Sequence, residues 1–171
     1  YGDCFKIIDH KKDWLKIRNQ WDNYEGWICS NQCVEISEDI YKNNLELEVK
    51  HSANLLGYVS LPNSELFHIP LGSDLRQIGV LNHQFEGEFT STRDKSQLVK
   101  TAYSYLNAPY LWGGKTPFGI DCSGFSQMVY KLNGIQLKRD ASQQAKQGVT
   151  LSFIEESEPG DLAFFDNKEG A

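Results

Sequence analysis

Apolar and polar residues alternate along the first part of the chain and later give way to a longer, helical rhythm. Cys4-Phe5-Lys6-Ile7-Ile8, Trp14-Leu15-Lys16-Ile17-Arg18 and Gly26-Trp27-Ile28 read as short, apolar-rich strands. Polar turns at residues 10–13 and 19–24 separate them, which predicts a small β-barrel over residues 1–40. Strand-like pieces at residues 45–49, 55–61, 64–71 and 85–89 follow, punctuated by Gly57, Pro62, Pro70, Gly72 and Gly87. They predict a second β lobe, or a long elaborated connection, over residues 41–92. From a cap at Ser91 or Thr92, apolar residues recur at helical spacing through Leu98, Ala102, Tyr105 and Leu106 until Pro109. Another helix is expected to open at Cys122, because Phe125, Met128, Val129 and Leu132 share a helical face and Asn133-Gly134 supplies a stop. A short helix after Asp140 would end at Gly148, and Pro159-Gly160 announces a buried strand over residues 161–165. The predicted fold class is α+β.

Composition narrows the picture by exclusion. The chain has 171 residues, of which 40% are hydrophobic, enough for one or two modest cores. Its net charge is −6 and no Lys or Arg block exceeds a pair, so neither a nucleic acid nor an anionic membrane surface is an expected partner. No apolar run approaches the ~18 residues that span a bilayer, and no signal-peptide pattern is present in a chain that starts at Tyr1. Cys4, Cys29, Cys33 and Cys122 are unevenly scattered and read as a reduced, intracellular set. Cys29 and Cys33 lack the second pair that a zinc site needs and read as packing residues, so no metal and no cofactor are expected.

The candidate chemistry centres on Cys122. Tyr110-Leu111-Trp112-Gly113-Gly114 precedes Ile120-Asp121-Cys122-Ser123-Gly124, so a cysteine falls where a glycine-rich turn enters an amphipathic helix. The unpaired N–H groups of a first helical turn stabilise a thiolate, lowering a cysteine pKa from its free value of about 8.5. A lone cysteine in this position would otherwise read as a buried structural residue.

Four separated motifs decide between these readings. Y-x-W-G-G, then D-C-S-G-F, then Arg139-Asp140-Ala141-Ser142-Gln143-Gln144, then Pro159-Gly160-Asp161-Leu162-Ala163-Phe164-Phe165 together resemble the NlpC-type family of papain-like cysteine peptidases over residues 94–171. The family cleaves peptidoglycan stem peptides. The resemblance implies that residues 93–171 are the N-terminal part of a catalytic domain of helices packed on an antiparallel sheet, incomplete at its C-terminus. It also implies that residues 1–40 are a bacterial SH3-like domain lacking its first strand.

By the same resemblance Cys122 is the nucleophile; its own backbone N–H, at the helix start, is placed as an oxyanion donor on geometry alone. Tyr110 is placed beside the scissile bond, with plain aromatic packing as the alternative. Trp112 divides between pocket wall and core. Asp121 and Ser123 would hold the ammonium group of a free N-terminal L-Ala, although an Asp beside a helix start also serves as a cap. Glu25 is a further amine-binding candidate, with a solvated turn glutamate as its alternative. Arg139 with Gln143 or Gln144 matches an R-x-x-x-Q pattern and reads as structural, with a cleft-edge role open.

His10, His51, His68 and His83 all precede Cys122 and none lies where the family's base should be. The resemblance places that His on the strand after residues 161–165, past Ala171, so the chain is expected to be truncated at both ends and nearly inactive as it stands. The expected function of the intact protein is hydrolysis of the γ-D-glutamyl-L-diamino acid bond of murein stem peptides in cell-wall recycling, in the cytoplasm. A noncatalytic murein-peptide binder and an exported peptidoglycan endopeptidase remain as alternatives.

Overall fold

Leu15 and Ile17 are buried, and the residues alternating with them, Trp14, Lys16 and Arg18, are not. This period-two pattern makes β2 (Trp14–Asn19) the middle strand of an antiparallel sheet between β1 (Phe5–Lys11) and β3 (Glu25–Cys29). The β1–β2 turn takes a left-handed residue at Lys12, and a bulge interrupts β1 between Ile7 and Asp9. The computed structural model describes residues 1–90 and 95–165 and divides into two compact units, Tyr1–Thr92 and Arg93–Ala171. The mixture of helix and antiparallel sheet is that of an α+β protein.

In the first unit, residues 45–49 do not form the expected strand. Helix α1 (Glu38–Glu46) takes Leu45 and Glu46, and from Leu47 the chain is extended without pairing as a strand. Ser37 is its N-cap, accepting a hydrogen bond from the Ile40 N–H at 3.3 Å, with Glu38 and Asp39 in the first turn where the helix dipole favours acid. Beyond it lie β4 (His51–Ser52), β5 (Leu56–Ser60), β6 (Leu66–Pro70), β7 (Gln84–Phe85) and β8 (Phe89–Thr90). They form a β6-β5-β7 sheet and a β4-β8 pair, all antiparallel. Val59 and Ile69 are fully buried there.

A buried ion pair organises this unit. Arg76 donates to both oxygens of Asp74 and from Nη1 to the Asn44 carbonyl at 3.1 Å, tying the turn after β6 to α1. The Asp74 N–H donates to the Tyr1 carbonyl at 3.0 Å, which brings the N-terminus onto the same turn. A Cβ on Gly2 would lie 1.9 Å from the Asp74 carbonyl oxygen, so only glycine fits.

The caps expected at Ser91 or Thr92, before the second unit, lie outside the described residues. A 3-10 turn (Lys95–Gln97) leads into α2 (Leu98–Tyr103), which ends well before Pro109. Past Tyr103 the backbone tightens to i→i+3 bonds, Tyr105 to Ala102 and Leu106 to Tyr103, and Asn107 turns left-handed. The hairpin β9 (Lys115–Thr116) and β10 (Gly119–Ile120) delivers the chain to α3 (Cys122–Lys131). Leu98, Met128, Val129 and Leu132 form the core between α2 and α3, and Asn133 donates to Thr101 Oγ1 and to the Val129 carbonyl. A short α4 (Ala141–Gln144) follows Asp140, and Gly148 is left-handed.

The expected buried strand at 161–165 is absent. The segment is irregular and largely exposed, with Phe165 91% accessible, because no strand among the described residues supplies a ladder for it. Sheet in the second unit is correspondingly limited, among the described residues, to the β9–β10 hairpin.

Candidate active site

Cys122 is the first residue of α3 and is exposed, which removes the reading of it as a buried structural cysteine. All four thiols are free. Its position follows from local sequence. Asp121, in extended conformation, caps the helix by accepting from the Gly124 N–H at 2.6 Å, so the next residue must open the first turn. At that turn the Cys122 N–H has no acceptor among the described residues and remains available to a ligand. Cys4 is the contrasting thiol. It is buried in the first unit, and burial and then the charge of Asp74 push its pKa up despite the nearby Arg76.

A cavity of about 290 Å³ opens beside the sulfur, lined by Tyr105, Ala108, Tyr110, Ile120, Asp121, Cys122 and Phe125. Tyr110 is 67% exposed, so its role is not core packing. A parallel bridge to Ile120 holds its backbone, with the Ile120 N–H donating to the Pro109 carbonyl and the Leu111 N–H to the Ile120 carbonyl. Trp112 is 87% exposed and belongs neither to the core nor to the wall of this cavity. Left-handed Gly113 turns the chain after it. Gly114 is required for a different reason: a Cβ there would lie 2.3 Å from the Gly119 carbonyl oxygen.

Asp121 does more than cap. Its Oδ2 accepts from the Gly113 N–H at 2.8 Å and from Arg139 Nη2 at 2.7 Å. Its Oδ1 accepts from Gly124, from Arg139 Nη1 at 3.1 Å and from the Ser123 hydroxyl at 3.3 Å. Burial works against its negative charge, but the Arg139 hydrogen bonds and the two backbone N–H groups prevail and hold its pKa down to about 2. Ser123 is buried, and its Oγ also accepts from Arg139 Nη1 at 2.8 Å. The structure thus brings Cys122, Tyr110 and Asp121 to one cavity, with Ser123 immediately behind Asp121.

Glu25 sits on β3 in the first unit. There it accepts from Arg18 Nη2 at 2.7 Å and pairs with Lys16 Nζ at 3.0 Å; the Arg18 hydrogen bond, then that of Lys16, lowers its pKa. Of the two glutamines, Gln144 is the buried one, donating to the carbonyls of Ser123 and Lys138, while Gln143 is exposed. The residue whose importance the sequence understated is Arg139. An arginine eighteen positions after a capping Asp is not a recognisable signal until the loop after α3 is seen to return.

Residues 93–171 contain no His, and among the described residues no three His, Cys, Asp or Glu side chains are grouped closely enough to hold a metal ion. No helix among the described residues is long and apolar enough to cross a membrane.

Residues 107–171 match the model of the NlpC/P60 family. Over 99% of its length the chain is 44% identical to the gamma-D-glutamyl-L-lysine dipeptidyl-peptidase of Bacillus subtilis strain 168, of which it spans 64%. It is 29% identical to dipeptidyl-peptidase 6 of Lysinibacillus sphaericus, with 96% of this chain and 72% of that protein aligned. The crystal structure of an NlpC/P60 family protein from Bacillus cereus ATCC 10987 superposes with a TM-score of 0.79 at 22% identity, covering 96% of this chain and 63% of that one, which shows a shared fold. Residues 107–171, which carry the exposed cysteine at a helix start, thus match the NlpC/P60 family, and relatives named as peptidases align over nearly the whole chain.

Proposed function

We propose that the protein is a cysteine peptidase that hydrolyses the γ-D-glutamyl-L-diamino acid bond of murein stem peptides bearing a free N-terminal L-Ala, in cytoplasmic cell-wall recycling. The observation that carries this reading is the exposed Cys122 at the first position of α3, facing the cavity that Tyr110 and Asp121 line. The Cys122 thiolate attacks the γ-carbonyl of D-Glu, and the negative charge that develops on oxygen is met by the Cys122 N–H. Collapse expels the α-amine of the diamino acid, which takes up a proton. Water then hydrolyses the thioester, releasing L-Ala-D-Glu and the thiol. An imidazole is the base and acid this cycle calls for, contributing about 10²–10⁴ in rate.

The substrate's ammonium group is assigned to Asp121 and Ser123, sharing the carboxylate with Arg139. The names of the Bacillus relatives make L-lysine the first diamino acid to test.

The test is a steady-state assay of the full-length gene product on L-Ala-γ-D-Glu-L-Lys and on its N-acetylated form. Wild type is expected to cleave the free peptide, with kcat/KM falling at least about tenfold on acetylation, the loss of one charge-assisted contact. Cys122→Ala is expected to lose at least about 10³-fold in kcat with an unchanged thermal midpoint. Turnover retained by Cys122→Ala overturns the mechanism. Indifference to acetylation removes the amine-recognition role. Tight binding without cleavage by wild type points instead to a murein-peptide binding protein.

A further inference from the structure

We propose that Arg139 is a positioning residue for Cys122, acting through Asp121 to hold the helix start and the glycine turn in one geometry. The inference rests on the reading of Cys122 as the nucleophile.

Three pieces of chain meet at Cys122. The Gly113-Gly114 turn comes in from one side, α3 leaves on the other, and the loop after α3 returns at residues 137–144. The turn and the helix start are both glycine-rich. A Cβ at Gly124 would lie 2.4 Å from the Gly114 carbonyl oxygen and 2.8 Å from Asp121 Oδ1, so the two backbones touch directly. The Asp121 N–H donates to the Gly114 carbonyl at 3.2 Å, and the Asp121 carboxylate adds a clamp, with the Gly113 N–H on one oxygen and the Gly124 N–H on the other.

A carboxylate can serve as such a clamp only if it stays ionised and correctly rotated. Arg139 secures both conditions. Its guanidinium is itself buried, 8% exposed, and reaches both carboxylate oxygens, so rotation of Asp121 would break one arm of the fork. The same Nη1 donates to Ser123 Oγ, which leaves the serine's own proton directed at Asp121 Oδ1.

Charge gives the second half of the argument. Asp121 is the immediate neighbour of Cys122, and an uncompensated carboxylate at that position opposes a second negative charge on sulfur. Arg139 neutralises the carboxylate, leaving the field of the α3 N-terminus to act on the thiolate unopposed. Loss of Arg139 therefore slackens the turn and turns Asp121 from a clamp into a repelling charge.

Gln144 supplies the control. It fastens the same returning loop to the same helix turn, through the Ser123 and Lys138 carbonyls, yet it carries no charge and does not touch Asp121. A role confined to holding the loop down would make Arg139 and Gln144 equivalent.

The experiment is alkylation of Cys122 by iodoacetamide at pH 7 and well below the unfolding midpoint, scored by peptide mass mapping and normalised to folded protein. The proteins are wild type, Arg139→Met, Arg139→Lys and Gln144→Met. Arg139→Met is expected to slow alkylation about 3–10-fold, Arg139→Lys to recover part of that loss, and Gln144→Met to alkylate at the wild-type rate. If Arg139→Met does not fold, Arg139→Lys carries the test, with an expected slowing between those of wild type and a broken fork. In the full-length protein, kcat per titrated Cys122 should fall in Arg139→Met for free and N-acetylated peptides alike, with KM little moved. Wild-type alkylation in the Arg139 variants, or equal slowing in Gln144→Met, overturns the proposal. Because alkylation needs no substrate, that outcome is distinct from failure of the peptidase reading, which Cys122→Ala reports.

Discussion

Asp74 in the first unit and Asp121 in the second are both buried, 2% and 8% exposed, and each is neutralised by an arginine that grips both carboxylate oxygens. Each also lies against a glycine that tolerates no Cβ, Gly2 in one case and Gly124 in the other. The difference is in sequence distance. Arg76 is two residues from Asp74, and their turn closes on itself, with the Arg76 N–H also bonded to Asp74 Oδ1 at 2.9 Å. Arg139 is eighteen residues from Asp121, so its pair exists only when the loop after α3 has come back. A local pair finishes a turn that the chain already favours. A distant one makes the geometry of Cys122 conditional on the packing of a separate segment.

Breaking each pair from its acidic side is the most severe test of this contrast. Asp121→Ala removes a helix cap and takes the counter-ion from a buried guanidinium, for a loss of about 3–5 kcal/mol in urea unfolding. Asp74→Ala takes the counter-ion from Arg76 in the same way and is expected to cost a similar amount, about 3 kcal/mol or more. A loss under about 1 kcal/mol at either position would mean that the pair is hydrated and the likeness between the two turns superficial.

Acid sharpens the comparison at smaller cost. The Asp121 pKa is held from 3.8 down to about 2, so the group binds fewer protons folded than unfolded. Its contribution, about 2 kcal/mol, is complete above roughly pH 5 and is lost as the pH falls through about 2. In Asp121→Asn the slope of stability against pH between 5 and 2 should flatten by that amount, and an unchanged slope would locate the acid sensitivity elsewhere. The smallest effect is expected from the exposed pairs of Glu25, where Lys16→Met should leave the thermal midpoint nearly unmoved, because solvent already satisfies both charges. A clear drop would show that the face of β2 and β3 is more enclosed than the isolated sheet suggests.

The features legible from residues alone were those with a local cause. Alternation of Leu15 and Ile17 with charged neighbours marks β2, and the spacing of Met128, Val129 and Leu132 behind a capping Asp marks α3. Helix α1 also has a local cause, the cap and first turn at Ser37-Glu38-Asp39, which the strand-like reading of 45–49 did not take into account. Residues 161–165 have strand composition without strand structure, because a strand depends on its partner. At the site, Cys122 and Tyr110 were readable from motif, whereas the fork from Arg139 and the choice of Gln144 over Gln143 depend on how a loop returns. Asp121 was recognised as both cap and ligand candidate, but its five donors could not be counted from the sequence.

Trp112, left in solvent two residues from the cavity wall at Tyr110, has an optical consequence. It is the sole tryptophan of residues 93–171, the other three being Trp14, Trp21 and Trp27. Its indole emits from water, at the red end of the tryptophan range, and a peptide settling over Tyr110 would change that emission. The Cys122→Ala protein, unable to consume its ligand, would then report binding through its own fluorescence, with no label attached, once Trp14, Trp21 and Trp27 are replaced by phenylalanine.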